Sequence, residues 1–384
     1  MNAVASLPRP GAVPRAVPPA QPPQPRLGLL GTGTVGAAFV ARCAQLRGQG
    51  VALPEFAWLS NSRALAGCDP GAAGEVLQRL RAAPARGGGF PPWVESEGLR
   101  RGDVIVDASD SDVVASWHSE WLLRGIHVAT ANKLGAGSDS VRAQAIVRAC
   151  SEGGGRYGDA ATVGAGLPLL RSIRALVAGG DRIHAIEGVL SGSLAWLFDR
   201  HDASTPFADL VRAACAAGYA EPDPRIDLSG EDVRRKLLIL ARAAGFAIEP
   251  REVVVESLLP PALATADAAD VDARLGMLDT PLRERHSAAA RRGDTLAYVG
   301  RVDAAGARAE LRALDAAHPL RAGAGTDNRV AIWSDRYHAR PLLIQGPGAG
   351  AAVTAAALLD DVLAITRGCS RGSALDDVHR QATA

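Results

Sequence analysis

The sequence predicts an α/β protein in which a doubly wound parallel sheet is joined to a second domain of α+β type. Three observations lead to this prediction. A short apolar strand at 26–30 runs directly into the glycine-rich turn at 31–36, GTGTVG. Apolar strands and helices then alternate as far as residue 150, an order that gives a parallel sheet with right-handed crossovers. Beyond residue 165 this alternation is replaced by a mixture of longer strands and amphipathic helices.

The turn at 31–36 has the form GxGxxG and lies between a strand and a helix, which is the context of a Rossmann dinucleotide-binding domain. Gly31 permits the tight turn, Gly33 lets a pyrophosphate approach the backbone, and Gly36 lets the helix pack closely. The helix N-terminus supplies N–H donors and a positive dipole end for the phosphates. We therefore predict a nucleotide site, with a purely structural turn as the alternative, at Gly31, Thr32, Gly33, Thr34, Val35 and Gly36.

The second predicted strand, at 53–59, ends in the polar segment Ser60-Asn-Ser-Arg63. An NAD site usually has an acidic residue at this strand end, where it binds the ribose 2′-hydroxyl. Because no acid stands there and Arg63 could meet a 2′-phosphate, NADP is the predicted cofactor, with NAD possible. Otherwise Arg63 is an exposed loop residue. Residues 64–100 show little periodic pattern, and Gly87-Gly88-Gly89 and Pro91-Pro92 indicate loop within them.

Polar side chains follow the next two strands, predicted at 103–109 and 126–130. Ser109, Asn132 and Lys133 stand at the carboxyl ends of these strands, which is where ligands bind in doubly wound sheets. They therefore share one edge of the sheet with the turn at 31–36, and the sequence predicts that Lys133 lies beside the nicotinamide. A surface lysine is the alternative interpretation.

Acidic and basic residues of the second domain concentrate in the stretch 218–236, GYAEPDPRIDLSGEDVRRK. Prolines at 222 and 224 favour a turn at its start, because they lack an amide donor and keep the preceding residues out of helical geometry. Ser229, followed three residues later by Asp232, then resembles the capped start of a helix.

On that helix Asp232 and Lys236 are four residues apart and share one face. Together with Glu221 and Asp227 they could converge on one small polar substrate. Carboxylates can bind an ammonium group, and a lysine can move a proton. The alternative is a solvated ion pair on the helix surface.

Two further glycine clusters are ambiguous. The cluster at 163–168 could hold a cation through backbone carbonyls or serve as a hinge, and the cluster at 346–350 could cover the nicotinamide or simply join a strand to a helix at 351–365. The composition of that helix indicates a return to the first domain. We therefore divide the chain into a disordered proline-rich tail at 1–25, a dinucleotide-binding domain at 26–162 plus 343–384, and a substrate domain at 163–342.

The bulk composition excludes several classes of partner. The chain has 384 residues, enough for two to three domains, and a net charge of +1, which gives no general attraction to nucleic acid or to anionic membranes. No apolar run approaches the ~18 residues that a membrane span requires. The five cysteines show neither metal-site nor disulfide spacing, which indicates reduced thiols in a cytoplasmic protein.

Taken together, the motifs resemble those of homoserine dehydrogenases, and the resemblance extends from Arg26 to Arg367. It is carried by GTGTVG at 31–36, HVATANK at 127–133, VGAGLP at 163–168, EGVLSGS at 187–193, the stretch 218–236, GTDN at 325–328 and IQGPGAGAAVTAAALLDD at 344–361. It implies an NAD(P)-dependent oxidoreductase that interconverts L-homoserine and L-aspartate 4-semialdehyde by hydride transfer, in threonine, methionine and isoleucine biosynthesis. It also implies a homodimer formed through the substrate domain.

The resemblance further implies residue roles. Lys236 corresponds to the proton donor and acceptor, and Lys133 to a lysine near the nicotinamide and the substrate oxygen. Substrate contacts are implied for Glu221, Asp232, Asp227 and Ser193. Besides the glycine-rich turn, cofactor contacts are implied for Arg63, Ser109, Lys133, Gly218 and Gly350. A sodium ion is implied at backbone groups of Val163, Ala165 and Leu167.

Three features depart from the family pattern. Ala160 stands where the family usually has Glu or Asp, and Asp159 precedes it, which brings a side-chain metal ligand into question. Pro347 removes one amide from the last glycine cluster. Neither an aspartokinase nor an ACT domain accompanies the motifs, so threonine inhibition through such a domain is not expected.

Two other functions fit parts of the pattern. An aldehyde dehydrogenase that works through a thioester would need a nucleophilic cysteine, yet Cys150 and Cys215 lie in predicted helices without a neighbouring histidine. A non-catalytic NADP-binding sensor would retain cofactor binding and lack activity on homoserine. For the dehydrogenase, homoserine oxidation needs a deprotonated lysine and is expected to be faster at alkaline pH.

Overall fold

The computed structural model describes residues 24–85, 91–96, 98–321 and 325–381 of the chain. The tail predicted at 1–25 lies outside the described residues except for its last two positions. Within the described part of the chain, no helix combines the length and the apolar character that crossing a bilayer requires.

A six-stranded sheet forms the first domain. Its strands are β1 (Arg26–Leu30), β2 (Glu55–Ser60), β3 (Leu65–Gly67), β4 (Val104–Asp107), β5 (His127–Thr130) and β6 (Tyr157–Gly158). They lie in the order β3-β2-β1-β4-β5-β6, and all pairs are parallel except the edge pair β2–β3. The doubly wound sheet predicted from the sequence is therefore confirmed.

Helices cover both faces of this sheet. They are α1 (Thr34–Gly48), α2 (Ala73–Ala82), α3 (Pro92–Ser96), α4 (Asp112–Ser116), α5 (His118–Leu123) and α6 (Ser140–Gly153). Alternation along β4 divides its apolar side chains between two buried clusters, Val104 and Val106 on one face and Ile105 on the other. The segment 64–100, which shows little pattern in the sequence, contains β3, α2 and α3. The loop predicted at Pro91-Pro92 is wrong from Pro92 onwards, where α3 begins, and the loop predicted at 87–89 lies outside the described residues. The apolar side chains of α2 are spaced for burial against β2, and loop residues on both sides hide this pattern.

The second domain has a mixed six-stranded sheet. Its strands are β7 (Ile183–Val189), β8 (Val253–Val255), β9 (Thr295–Asp303), β10 (Gly306–Leu314), β11 (Asp327–Ser334) and β12 (Leu342–Pro347). The order is β12-β11-β7-β9-β10-β8, and only β8 and β10 pair in parallel. This is the α+β architecture predicted for the domain.

The largest apolar core lies between this sheet and its helices. These are α7 (Leu169–Ala178), α8 (Gly192–Arg200), α9 (Phe207–Ala216), α10 (Arg225–Leu228), α11 (Glu231–Ala244), α12 (Pro261–Ala264), α13 (Val271–Arg274) and α14 (Asp279–Ala290). The last helix, α15 (Ala351–Gln381), instead shares the core of the first domain through Leu358, Leu359 and Val362. The division at residues 162/163 and 342/343 stays a prediction.

The start of α11 differs from the helix cap predicted at Ser229. Residues 225–228 form α10, and Ser229 continues in helical geometry with a φ of −67°. Gly230 then breaks the helical path with a φ of +77°, so α11 begins at Glu231. A side chain at 230 would also collide with the Tyr298 hydroxyl, at 2.2 Å from a Cβ. The Ser229 hydroxyl accepts only the N–H of Glu231, at 3.2 Å.

Candidate functional site

A cleft of about 1870 Å³ lies between the two domains, at the carboxyl ends of β1, β2, β4 and β5. Most residues predicted for the site line it: Gly31, Thr32, Gly33, Thr34, Val35, Arg63, Ser109, Lys133, Ala165, Ser193, Gly218, Glu221, Asp227, Asp232, Lys236 and Gly350. Three predicted residues, Gly36, Val163 and Leu167, are not among the lining residues. The cleft is wide enough for a dinucleotide and a small substrate together.

The glycine-rich turn has the geometry that a bound pyrophosphate needs. Gly31 has a φ of +93°, and a Cβ at this position would lie 2.7 Å from the carbonyl oxygen of Ala108. A Cβ on Gly36 would lie 1.9 Å from the carbonyl oxygen of Gly31, so this glycine serves helix packing. At Gly33 no atom lies within 4 Å of a Cβ, and the space that it faces is open. The residues present therefore fit a dinucleotide.

Two arginines line the cleft near the carboxyl end of β2. Arg63 Nη1 donates to the carbonyl oxygens of Arg81 and Ala83, both at 3.1 Å, at the end of α2. Arg81 was missed from the sequence, although it lines the cleft and its Nε donates to the Thr32 carbonyl at 3.0 Å. Recognising the apolar spacing of α2 would have placed Arg81 at a helix end near the nucleotide turn.

At the other end of the cleft, two lysines share one carboxylate. Lys236 Nζ lies 2.7 Å from Asp232 Oδ2, and Lys133 Nζ lies 3.3 Å from Asp232 Oδ1. Lys236 is buried and also donates to the Leu190 carbonyl at 2.7 Å. Lys133 and Lys236 are the only two lysines in the whole sequence. Every other permanent side-chain cation is therefore an arginine, which cannot give up its proton in a protein.

The two lysines also control the charge of Asp232. Desolvation in the cleft disfavours the carboxylate, but the charges and hydrogen bonds of Lys236 and Lys133 outweigh it, so the pKa of Asp232 lies well below its usual range. About 36% of the side chain remains exposed in the open cleft, so solvent screens part of this attraction.

Asp227 organises the neighbouring wall of the cleft. Its Oδ1 accepts from the Ser193 hydroxyl at 2.6 Å, and its Oδ2 accepts from the backbone N–H of Glu221 at 2.8 Å. Ser193 is also 2.9 Å from the Ser191 hydroxyl, which caps α8. Glu221 is exposed, and its backbone is held by Asp227. Asp227 and Ser193 therefore set the shape of this wall, and Glu221 is the carboxylate available to a ligand.

The turn after β6 contains the residues predicted for a cation. Ala165 adopts a left-handed φ of +48°, which is uncommon for a residue other than glycine. Asp159 does not contribute a carboxylate there, because its two oxygens accept from Arg174 at 2.5 and 2.7 Å. Within the described residues, no group of three His, Cys, Asp or Glu side chains could hold a metal ion. The candidate ligands at this turn are therefore backbone carbonyls, a donor set that fits a weakly bound alkali cation better than a divalent metal.

Among the described residues, Cys150 and Cys215 do not have the surroundings of a thioester nucleophile. Cys215 lines the cleft, but its thiol donates to the Glu221 carbonyl at 3.3 Å, and burial raises its pKa. Cys150 lies on α6 away from the cleft, and burial raises the pKa of its thiol too. Neither environment favours the thiolate that a covalent mechanism needs.

Comparisons with known proteins agree with this arrangement. A family model described as homoserine dehydrogenase matches residues 168–363. The homoserine dehydrogenase of Schizosaccharomyces pombe is 37% identical over 271 residues, which are 68% of this chain and 72% of that protein. A Zea mays protein, bifunctional aspartokinase/homoserine dehydrogenase 2, chloroplastic, is 36% identical over 353 residues. This alignment covers 88% of the present chain, which spans 38% of the length of that bifunctional relative.

Solved structures show the same fold. A hyperthermophilic archaeal homoserine dehydrogenase in complex with NADPH superposes with a TM-score of 0.69 and 21% identity, over 90% of this chain and 98% of that one. At this identity the match speaks for the fold alone.

Proposed function

Because this chain belongs to the homoserine dehydrogenase family, we propose that it interconverts L-homoserine and L-aspartate 4-semialdehyde with a nicotinamide cofactor. The single observation that carries the proposal is the pair Lys133–Lys236 around Asp232, at the end of the cleft away from Arg63. This site can bind a small polar molecule beside a dinucleotide and exchange one proton with it. Such a reaction belongs to amino-acid biosynthesis.

Lys236 is the proposed acid and base. When bound, the nicotinamide supplies the hydride in reduction and accepts it in oxidation. In reduction the aldehyde oxygen gains negative charge, which an ammonium group beside it stabilises before transferring a proton. Within the described residues, Leu190 and Asp232 use two of the three N–H groups of Lys236, and the third is left for the substrate oxygen. In oxidation the neutral amine takes the hydroxyl proton.

Lys133 contributes a second positive charge next to the same oxygen. Its side chain is about a third exposed, and its Nζ contacts the Asp232 oxygen opposite to the one that Lys236 contacts. Asp232 therefore fixes the distance between the two ammonium groups. At the opposite wall, Glu221 would receive the substrate ammonium, and Asp227 with Ser193 would hold Glu221 in place.

NADP is the proposed cofactor, with NAD as a weaker alternative. The support is the absence of an acidic residue at 60–63 and the presence of Arg63 and Arg81 along the adenosine end of the cleft. A 2′-phosphate would be neutralised there by two guanidinium groups.

A sodium ion is proposed at the backbone carbonyls of Val163, Ala165 and Leu167. The left-handed backbone of Ala165 supports this, since such conformations concentrate at ligand-binding turns. Replacing choline by Na⁺ at constant ionic strength should raise Tm and saturate. A flat response would reject the site.

A homodimer is proposed through the second sheet. On the face of this sheet away from α11, the partly exposed Arg301 and Arg312 pair with the buried Glu187. The apolar side chains of that face, Val299, Leu314 and Ala331, are already buried within the chain, so the proposal rests on the family resemblance and on these arginines. Light scattering should give twice the chain mass of 39.6 kDa. A mass equal to one chain at micromolar concentration would contradict the proposal.

The function is tested by steady-state oxidation of L-homoserine with NADP and with NAD. Wild-type activity that collapses in Lys236→Ala while NADPH still binds would support both the reaction and the role of this lysine. A folded protein that binds NADPH but oxidises no homoserine would refute the proposed enzyme.

A further inference from the structure

Behind the cleft, Asp107 is the centre of a buried hydrogen-bond network that the proposed mechanism does not use. Its Oδ1 accepts from the Ser109 hydroxyl at 2.6 Å and from the Ser109 backbone N–H at 2.9 Å. Its Oδ2 lies 3.0 Å from His118 Nε2, and His118 Nδ1 lies 3.1 Å from the Tyr157 hydroxyl. The side chains of Asp107 and His118 are fully buried.

The direction of each hydrogen bond in this network can be assigned. A backbone N–H can only donate, so Oδ1 of Asp107 is an acceptor. In the neutral form of His118 that donates Nε2–H to Asp107, Nδ1 is an acceptor, and the Tyr157 hydroxyl donates to it. Burial raises the pKa of Tyr157 well above its usual range, so this hydroxyl keeps its proton. All the donors therefore point towards Asp107.

The network determines what Ser109 can offer to a ligand. Its hydroxyl hydrogen is directed to Asp107, and one lone pair accepts the N–H of Ser111 at 3.3 Å. The remaining lone pair is what the Ser109 hydroxyl can present to the cleft. Ser109 is therefore an acceptor at this site, suited to an N–H or O–H group and unsuited to a phosphate or carbonyl oxygen.

The position of Ser109 indicates which part of the cofactor it meets. Strands β2 and β4 flank β1 on opposite sides, so Ser109 lies across the pyrophosphate turn from Arg63. A Cβ on Gly31 would lie 3.0 Å from the Ser109 N atom, so the two loops are in contact. The adenosine end is at Arg63, so the nicotinamide riboside half falls on the side of Ser109.

The same network ties the loop of Ser109 to the loop of Lys133. Thr130 Oγ1 lies 3.4 Å from Asp107 Oδ2, and it accepts the N–H of Asn132 at 2.9 Å. Asn132 Nδ2 donates in turn to the Ser111 carbonyl at 2.9 Å. The loops after β4 and β5 are therefore joined to each other and anchored on one buried carboxylate.

From this geometry we infer that His118 is a positioning residue. It holds Asp107, and Asp107 in turn fixes the hydroxyl of Ser109, a residue already expected to contact the cofactor, as a hydrogen-bond acceptor. In that role Ser109 accepts from the nicotinamide riboside half, either from the carboxamide NH₂ or from a ribose hydroxyl. This inference rests on the proposed function, since it requires a nicotinamide cofactor.

The test measures dissociation constants of NADPH and of its 3-acetylpyridine analogue, in which a methyl ketone replaces the carboxamide, by fluorescence. Ser109→Ala and His118→Phe should each raise the dissociation constant of NADPH about five- to tenfold, which corresponds to the loss of one hydrogen bond. His118→Gln, which keeps an N–H donor, should recover part of the loss. The matched control is His127→Phe, another buried histidine of the first domain, whose Nδ1 accepts from Arg156. It should lower Tm and leave NADPH binding unchanged.

The analogue distinguishes the two donors. If the carboxamide donates to Ser109, the wild type binds NADPH more tightly than the analogue, whereas Ser109→Ala binds the two ligands equally well. If a ribose hydroxyl donates, Ser109→Ala weakens both ligands equally. NADPH binding by Ser109→Ala and folded His118→Phe at wild-type strength would overturn the inference. A wild type that binds neither NADPH nor NADH would instead refute the proposed function, so the two failures are distinguishable.

Discussion

Asp232 and Lys236 form an ion pair across one turn of α11, with 2.7 Å between Oδ2 and Nζ. Lys133 reaches the other oxygen of the same carboxylate from the first domain. The carboxylate of Asp232 therefore connects the wall of the cleft formed by the second domain to the wall formed by the first. Its chemical value lies in the ability of an amine, unlike a guanidinium, to gain and lose a proton.

Lys236→Arg should retain the positive charge and lose the proton exchange. We expect kcat for homoserine oxidation to fall by about 10² to 10⁴, the usual contribution of a general acid or base. NADPH binding, measured by fluorescence, should not change. Arg235→Lys, at a neighbouring position that also lines the cleft, is the matched control. An active Lys236→Arg would show that charge alone suffices.

Asp232→Asn should reduce stability in a pH-dependent manner. The pKa of Asp232 is lowered in the folded state, so its ion pairs stabilise the fold above the unfolded pKa of about 4 and lose this effect as the pH falls further. The difference in urea midpoint between wild type and variant should therefore be steady between about pH 5 and 8 and shrink below about pH 4.

The control for this variant is Asp270→Asn, which removes an exposed i, i+4 pair with Arg274. Such surface pairs contribute little, so its midpoint should stay close to that of the wild type. A gap between wild type and Asp232→Asn that widens on acidification would contradict the assigned direction of the pKa shift.

Arg63→Ala and Arg81→Ala should each weaken the binding of NADP more than the binding of NAD. Loss of one charged hydrogen bond to the 2′-phosphate corresponds to about 10- to 100-fold in KM for NADP. KM for NAD, which lacks this phosphate, should change little. Arg79→Ala, on the exposed side of the same helix, provides the control. An equal rise of KM for both cofactors would mean that the arginines support the loop and do not bind the 2′-phosphate.

Gly33→Ala should affect cofactor binding, whereas Gly36→Ala should affect folding. A Cβ at 36 would lie 1.9 Å from the Gly31 carbonyl, so this variant should lower Tm and disturb the turn. A Cβ at 33 meets nothing within 4 Å and would occupy space for the pyrophosphate. Gly33→Ala should therefore keep its Tm and lose NADPH affinity in titration. Unchanged affinity would place the phosphates elsewhere.

Local sequence patterns predicted the framework of the cleft well. The glycine spacing at 31–36 and the acid–lysine spacing at 232–236 depend on residues close in the chain, so one sequence reveals them. Arg81 was missed because its helix lies between two loops. The link from Asp107 to His118 was also missed, because both residues read as ordinary parts of a strand and a helix. These two residues form a hydrogen bond only because α5 packs against the sheet.

The chain has only two lysines, and both contact Asp232. A spectroscopic label on lysine side chains would therefore report on the centre of the cleft. Reductive methylation with ¹³C-formaldehyde labels ε-amines and the α-amino group, so an NMR spectrum of the labelled enzyme would contain two side-chain environments. Because the two amines share one carboxylate, a ligand or a substitution that moves Asp232 would change both signals. In most enzymes of this size surface lysines would obscure such signals, whereas here each side-chain resonance comes from the cleft.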